Sequence, residues 1–481
     1  MQTSVSVVRT AHELLPDPAR VVARSYIPAG AVALVGRVLS LPDDEVATRL
    51  AAVLRDFGDR HRDLERILSA SYQRVAPRLG NGVAPTRAQQ LLVGAYVTLE
   101  YTLEAAALFN PSMVPAPGPL QDGDQPFVMS MRSVGEGHVS SIELRTGTAS
   151  AGGKLAFDAV EKFASTGEIG EAKYHREMFE AKLDELGADF DLVRQLIDPL
   201  DEWFTYPQLE ERLAAVADEG VTPAAAYKTV ELARMLAYSN YVVSFDPQMP
   251  LSERVIFPVG PTESHGMEDA RFVRFTDEDG AITYFATYTA FDGSHILPQL
   301  IETADFTTFH ISTLNGASAR NKGMALFPRK IGGQFVALSR YDQENIDLMF
   351  SDRVRFWHAR ERLRKPEYPW EFVKIGNCGS PLETEAGWLV LTHGVGPMRT
   401  YTIGALLLDL EDPQRVIGEL PAPLLSPAES ERNGYVPNVV YSCGGMIHDG
   451  CLLLPYGFSD TGVHVAVVEV AGLLGRMSMT G

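Results

Sequence analysis

A turn glycine followed by a short apolar run recurs along this chain, and the length of the recurrence limits the fold more than any other feature. Asp279-Gly280 leads towards Ile282-Thr-Tyr-Phe-Ala-Thr-Tyr288, and Gly332-Gly333 towards Gln334-Phe-Val-Ala-Leu338. Gly387 leads into Trp388-Leu-Val-Leu391, and Asp449-Gly450 into Cys451-Leu-Leu-Leu454. Each reads as a hairpin turn feeding a buried strand. Glycines 280, 333, 387 and 450 stand 53, 54 and 63 residues apart, a spacing that suits one four-stranded blade per step. Asp122-Gly123, ahead of Phe127-Val-Met-Ser-Met131, supplies a fifth member. The expected fold is therefore an all-β five-bladed β-propeller. A β-sandwich could hold the same strands, but so long a period with a turn in every unit favours radial repetition.

Two stretches break the pattern with helical periodicity. From about residue 42 to 107, Val46, Leu50, Val53, Leu54 and Phe57 recur at helical steps, and Ala84-Pro85-Thr86 caps a second run through Leu91, Leu92, Ala95, Leu99, Tyr101 and Leu103. From about 170 to 236 the same spacing returns through Phe179, Leu183, Leu186, Leu192 and Leu196. The expected division is a largely helical N-terminal extension over 1–106, a first blade region over 107–154, a helical insertion over 155–240 and the remaining blades over 241–481. The helical additions read as scaffold or as the surface of a homo-oligomer.

Charge and cysteine content remove several classes of function. Lys plus Arg total 42 against 62 Asp plus Glu, a formal net charge of -20, which disfavours nucleic acid and anionic membranes as partners. An anionic substrate would need a local basic pocket. Cys378, Cys443 and Cys451 are odd in number and lack metal-ligand spacing, so they read as small buried fillers. No apolar run approaches membrane-spanning length and the first residues lack a signal-peptide core, so the expected location is cytoplasmic. No metal and no cofactor are expected.

The loops that enter and leave the strands carry the polar groups. Gly266-Met-Glu-Asp-Ala-Arg-Phe272 sets Glu268 and Asp269 just before the β pattern that starts at Arg271. Asn110 and Arg132 belong to the first repeat, and Arg320-Asn321-Lys322 precede Ala325-Leu-Phe-Pro328. Arg340 ends a strand, Lys374 opens Lys-Ile-Gly-Asn-Cys-Gly-Ser-Pro381, and His393, Tyr401 and Asp460 lie at later strand ends. In a propeller such loops converge on one end of a central channel, so residues far apart in sequence can share a pocket. So many cations at strand ends of an acidic protein point to an anion site.

Six segments, in this order, carry a family resemblance. They are Gly266-Met-Glu-Asp-Ala-Arg271, Arg320-Asn-Lys-Gly-Met-Ala-Leu-Phe-Pro328, Gly387-Trp-Leu-Val-Leu-Thr-His-Gly394, Gly404-Ala-Leu-Leu-Leu-Asp-Leu-Glu-Asp-Pro413, Val436-Pro-Asn-Val-Val-Tyr441 and Tyr456-Gly-Phe-Ser-Asp460. Together they resemble the β-mannoside phosphorylases of glycoside hydrolase family 130, strongly over about 255–470 and weakly over 107–150. The resemblance implies a five-bladed propeller and an inverting phosphorylase that cleaves β-mannosides with inorganic phosphate as co-substrate, giving α-mannose 1-phosphate and a shortened acceptor. It assigns Asp269 as the general acid, acting through a sugar hydroxyl. It places Arg320, Arg340, Lys374, His393 and Tyr401 around phosphate, and Asn110, Arg132, Asn321 and Asp460 along the sugar; Glu268, beside Asp269, is expected among the substrate-binding residues and as a like charge that would raise the Asp269 pKa. The chain departs from the family pattern at Ala270, Gly323 and Thr392 and in the loop Gly376-Asn-Cys-Gly-Ser-Pro381.

Phosphorolysis needs one acid and a set of anion donors, because phosphate is already a nucleophile, whereas inverting hydrolysis needs a second carboxylate to activate water. The basic set favours phosphorolysis. An inverting β-mannosidase of the same family and a non-catalytic sugar-binding propeller are the alternatives. A hydrolase of another five-bladed family would draw its further acids from Glu263, Asp292, Asp342 and Asp460.

Overall fold

A computed structural model describes residues 5–79, 84–120, 123–218 and 223–479, with the side chains of 216–226 left aside. Strands dominate it, and most fall into five antiparallel units taken in chain order, the first two joined in one sheet by the parallel pair Gly266 and Ser140. The first holds Ala107–Pro115, Gln125–Val134, Ser140–Ser150 and Lys154–Phe157. The second holds Gly266–Thr276, Ile282–Phe291, Ile296–Thr303 and Thr308–Thr313, with Tyr241–Ser244 added outside. The third runs Ala325–Leu326, Phe335–Ser339, Ile346–Ser351 and Ala359–Arg364. The fourth runs Lys374–Asn377, Gly387–Val395, Tyr401–Leu408 and Val416–Glu419. The fifth runs Val440–Tyr441, Cys451–Phe458 and Gly462–Glu469, and its outer strand is Val7–Leu14 from the far end of the chain.

The repeat read from the sequence thus marks real units. Gly280 and Gly450 sit in turns at φ 83° and 70°, a backbone region open to glycine at no steric cost. Gly123 also has positive φ, while Asp122 lies outside the described residues.

Apolar faces of consecutive units bury one another, because strand side chains alternate and each sheet has two faces to cover. Val128, Leu144, Phe272 and Tyr284 join units one and two. Phe275, Leu300, Met349 and Trp357 join two and three, and Phe327, Leu348, Trp388 and Leu406 join three and four. Leu391, Ile403, Leu454 and Ala466 join four and five. The fifth packs on the first through Leu453, Val463, Met129 and Met131. Hydrogen bonds follow the same order: Phe272 N donates to Ser112 Oγ at 3.0 Å, Thr276 N to Pro328 O at 2.9 Å, Ile375 N to Glu344 O at 2.9 Å, Tyr401 N to Asn438 O at 3.0 Å and Cys443 N to Pro111 O at 2.8 Å.

The helices lie in the two expected regions. Asp43–Phe57 has Asp43, Asp44 and Glu45 in its first turn, where carboxylates oppose the positive end of the helix dipole. Arg87–Tyr96 opens with a Thr86/Gln89 capping box. It stops at Tyr96, which corrects the helical reading of Leu99, Tyr101 and Leu103. Thr98–Thr102 is a strand paired with Val21–Ser25, since β-branched residues and period-two alternation take over there. Arg176–Glu185, Phe190–Ile197, Tyr206–Asp218 and Pro223–Tyr238 form the inserted helices around their own core of Phe179, Leu183, Leu196 and Phe204. No helix among the described residues is long and apolar enough to cross a membrane.

Candidate active site

First strands carry Asn110, Asp269, Arg271, Lys374 and Tyr441, and later strands or the turns after them carry Arg132, Arg340, His393, Tyr401 and Asp460. Glu268 pairs with Thr289 and Arg271 with Thr287, so Asp269 and Ala270 stand together opposite Tyr288 in a bulge. The acids therefore lie inside a strand, not in a loop before it. Phe109 pairs with Arg132 and Ser112 with Ser130, which leaves Asn110 and Pro111 opposite Met131 in a second bulge. Both bulged polar residues are left-handed, Asn110 at φ 50° and Asp269 at φ 56°, and Asn321 and Asp460 share that conformation at 62° and 49°. Such a backbone costs about 1–3 kcal/mol for a residue with a Cβ and collects at functional sites. The bulges aim the two side chains at each other: Asn110 Nδ2 donates to Asp269 Oδ1 at 2.5 Å.

Cations surround that carboxylate. Arg132 lies 3.7 Å from Asp269 Oδ1 and Arg271 3.8 Å from Oδ2. Burial alone would raise the Asp269 pKa, but Arg271, Arg132, Lys322 and Arg340 outweigh it and hold the group below the ordinary carboxylate range. The net direction is the opposite of the rise expected from Glu268, and Glu268 is itself paired. Arg132 donates to it at 2.9 Å, and Lys322 holds its other oxygen. Asp460 is shifted the other way, up to about 6, first by burial and then by the Asp269 charge, against Arg132 and Arg399.

A second cluster is built on units three and four. Arg340 meets His393 Nε2 at 3.0 Å. A guanidinium only donates, so Nε2 accepts and the imidazole proton sits on Nδ1. Burial, then Arg340, Arg271 and Lys374, keeps the His393 pKa well below its usual value, so the ring is neutral. Tyr401 stacks on it with centroids 6.1 Å apart, and Lys374 Nζ lies 5.4 Å from the Tyr401 ring centre. Two glycines make room. A Cβ on Gly376 would meet Arg340 Cδ at 2.3 Å and His393 Cε1 at 2.4 Å, and one on Gly323, at φ 87°, would meet Arg340 Nε at 2.3 Å. The departure at Gly323 thus leaves space for the guanidinium.

The structure gathers four of the five residues assigned to phosphate: Arg340, Lys374, His393 and Tyr401. Arg320 is exposed, and no hydrogen bond or ion pair among the described residues joins it to them. Asn321 donates to Tyr341 O and accepts from Gln343 at 3.2 Å, at the edge of the same cluster. Sequence reasoning assigns no role to Arg271 or Tyr441, yet Arg271 ties the centre together. It is 1% exposed and donates to Cys378 O at 2.7 Å, to Tyr441 Oη at 2.8 Å and to Asp269 O at 2.9 Å, spanning units two, four and five. Both residues stand within quoted motifs, which was the available signal. Buried polar atoms without a partner collect here, namely Asn110 Oδ1, Arg132 Nε, Arg340 Nε and His393 Nδ1, as suits a site for a polar ligand. No group of three potential metal-ligating side chains occurs among the described residues.

Residues 241–478 match a family profile described as β-1,4-mannooligosaccharide phosphorylase. A 1,2-β-oligomannan phosphorylase of Thermoanaerobacter sp. (strain X514) is 33% identical over 269 residues, which cover 53% of this chain and 88% of that protein. The chain belongs to glycoside hydrolase family 130. Another member, a β-1,4-mannooligosaccharide phosphorylase of Ruminococcus albus, is 32% identical over 35% of this chain and 53% of its own length. The solved β-1,2-mannobiose phosphorylase of Listeria innocua aligns at 22% identity over 78% of this chain and 92% of that one, with a TM-score of 0.46. The motif resemblance is thereby confirmed at the level of the family.

Proposed function

We propose that this member of family 130 is an inverting phosphorylase that cleaves β-mannosides with inorganic phosphate. The observation that carries the reading is the carboxylate of Asp269, faced by cations and adjoining the Arg340–His393–Lys374–Tyr401 cluster. Phosphate bound by Arg340 and Lys374 attacks the anomeric carbon. The bond to the glycosidic oxygen breaks on the opposite face, and that oxygen takes a proton from Asp269, relayed by a sugar hydroxyl. The products are α-mannose 1-phosphate and an acceptor with a restored hydroxyl. Neutral His393 orients Arg340 without adding charge, and Glu268 fixes Arg132 and Lys322. Phosphate brings the protonated acid within reach, since an anion beside Arg340 offsets the field that depresses Asp269. Hydrolysis is the weaker reading, because it needs a second carboxylate to activate water and has no use for the basic cluster.

The cyclic order of contacts supports five propeller blades around this site, with residues 1–106, apart from the blade strand Val7–Leu14, and 155–240, apart from the end of the blade strand Lys154–Phe157, as additions to the first blade region, 107–154, and the blades of 241–481. Exposed Val32, Phe57, Phe190 and Tyr227 on the additions support self-association through them, which light scattering would test. Three free thiols, two of them buried, suit a reducing cytoplasm. The catalytic assignment is tested with Asp269→Asn, expected to lower turnover by about 10²- to 10⁴-fold while phosphate still binds. Turnover at the parent rate contradicts it.

A further inference from the structure

A separate cleft of about 810 Å³ opens between the helical insertion, the third strand of unit two and the connection between the last two strands of unit three. That volume is in the range of small-molecule sites. His175, Glu202, Trp203, Glu302, Arg353 and Arg355 line it, and none of them belongs to the Asp269 cluster. Trp203 and His175 are cross-strand partners on a two-stranded ribbon, with their rings 4.9 Å apart at 85°. The imidazole thus braces the indole edge to face, and the indole remains 51% exposed. The contrast with Trp357 and Trp388, both fully buried, marks Trp203 as a ring held at a surface.

The polar lining is balanced in charge. Arg353 pairs with Glu177 at 3.2 Å, Arg355 with Glu302 at 2.9 Å and His175 with Glu202 at 3.5 Å. A site for phosphate or a nucleotide would show an excess of cations, as the Arg340 cluster does, whereas here donors and acceptors alternate without one. Alternating guanidinium and carboxylate edges suit vicinal hydroxyls, which donate and accept, and an exposed indole face suits the apolar face of a sugar ring. His175 Nδ1 is buried without a partner, and so is Ser312 Oγ in a smaller cavity that shares His175, Met178 and Arg355 with the cleft.

We infer that this cleft is a second, non-catalytic binding site for a neutral oligosaccharide, with Trp203 as its stacking platform and Arg353 and Arg355 as hydroxyl donors. The proposed function serves only to select the sugar, a β-mannoside chain longer than the active site cleaves. The test is calorimetric titration of the full-length Asp269→Asn protein with β-1,4-linked mannotetraose in phosphate-free buffer. Two binding events are expected. Trp203→Ala should abolish one, and Arg353→Ala should weaken the same one about tenfold. Both substitutions, made in the active protein, should leave kcat/KM for mannobiose unchanged. Binding of cellotetraose lost with Trp203 supports the cleft while counting against the mannoside reading, which keeps the two failures apart. A single binding event untouched by Trp203→Ala, or a cleft that answers to ADP and to neither sugar, overturns the inference.

Discussion

Arg340 sits where it does because two neighbouring positions have no side chain. Gly376→Ala would push a methyl to 2.3 Å from Arg340 Cδ and 2.4 Å from His393 Cε1, too close for any real contact. Its expected effect is a tenfold or greater rise in KM for phosphate together with a loss of about 1–3 kcal/mol of stability, checked by initial rates and thermal unfolding. Asp460 makes an opposite kind of prediction. Its pKa of about 6 lies above the unfolded value of about 3.9, so the folded state favours the protonated form, and stability falls as pH rises through that interval. Asp460→Asn should therefore melt higher than the parent at pH 7, by about 1–3 kcal/mol at most, with the gap closing below pH 4, while turnover drops. A gap that widens in acid contradicts the assignment. Asp269 and His393 were named from their motifs and Arg340 and Lys374 from their places at strand ends, and the structure brings all four to one centre. Arg271 was hidden by its own strand pattern, since only the bulge at Asp269 and Ala270, which no periodicity announces, turns it to the centre. Arg320 shows the converse, a motif cation that the backbone leaves exposed.

Among the elements, the strand Val7–Leu14 stands out because it completes a sheet whose other strands lie more than four hundred residues away. Glu431 anchors it. Arg9 reaches this carboxylate at 3.3 Å, His464 meets it at 2.9 Å, Tyr456 donates at 2.6 Å and Ala428 N at 2.8 Å. Burial would raise the Glu431 pKa, but these partners hold it at about 2. The stability so gained is present above the unfolded value of about 4.3 and is lost as pH falls towards 2. Arg9→Ala should then lower the melting temperature at pH 7 and have a smaller effect near pH 3, as followed by circular dichroism. An effect that grows in acid contradicts the anchoring. The turns between strands were readable from Asp-Gly and Gly-Gly pairs. Val7–Leu14 was not, since a strand that pairs across the whole chain leaves no local signal beyond mild alternation. The helix expected through Leu103 failed for the same reason: apolar residues at Leu99, Tyr101 and Leu103 fit both periods, and pairing with Val21–Ser25 decides for the strand.

At the scale of the molecule, an apolar core lies between each pair of consecutive units, so the sheets depend on one another for burial. The same arrangement brings the first strands together, and with them Asn110, Asp269, Arg271, Lys374 and Tyr441. The recurrence of turn glycines made this order visible in the sequence, because each unit repeats one local plan. The place of the inserted helices was not visible, since their spacing specifies an apolar face and not what the helices pack against. The proposed chemistry rests on charge: the Asp269 carboxylate serves the leaving oxygen, and the Arg340 and Lys374 cations serve phosphate. The most direct test is the phosphate dependence of β-mannoside cleavage. In phosphate-free buffer turnover should be lost, and on adding phosphate it should return with α-mannose 1-phosphate formed in step with the shortened acceptor. Cleavage at full rate without phosphate, yielding free mannose, contradicts the account.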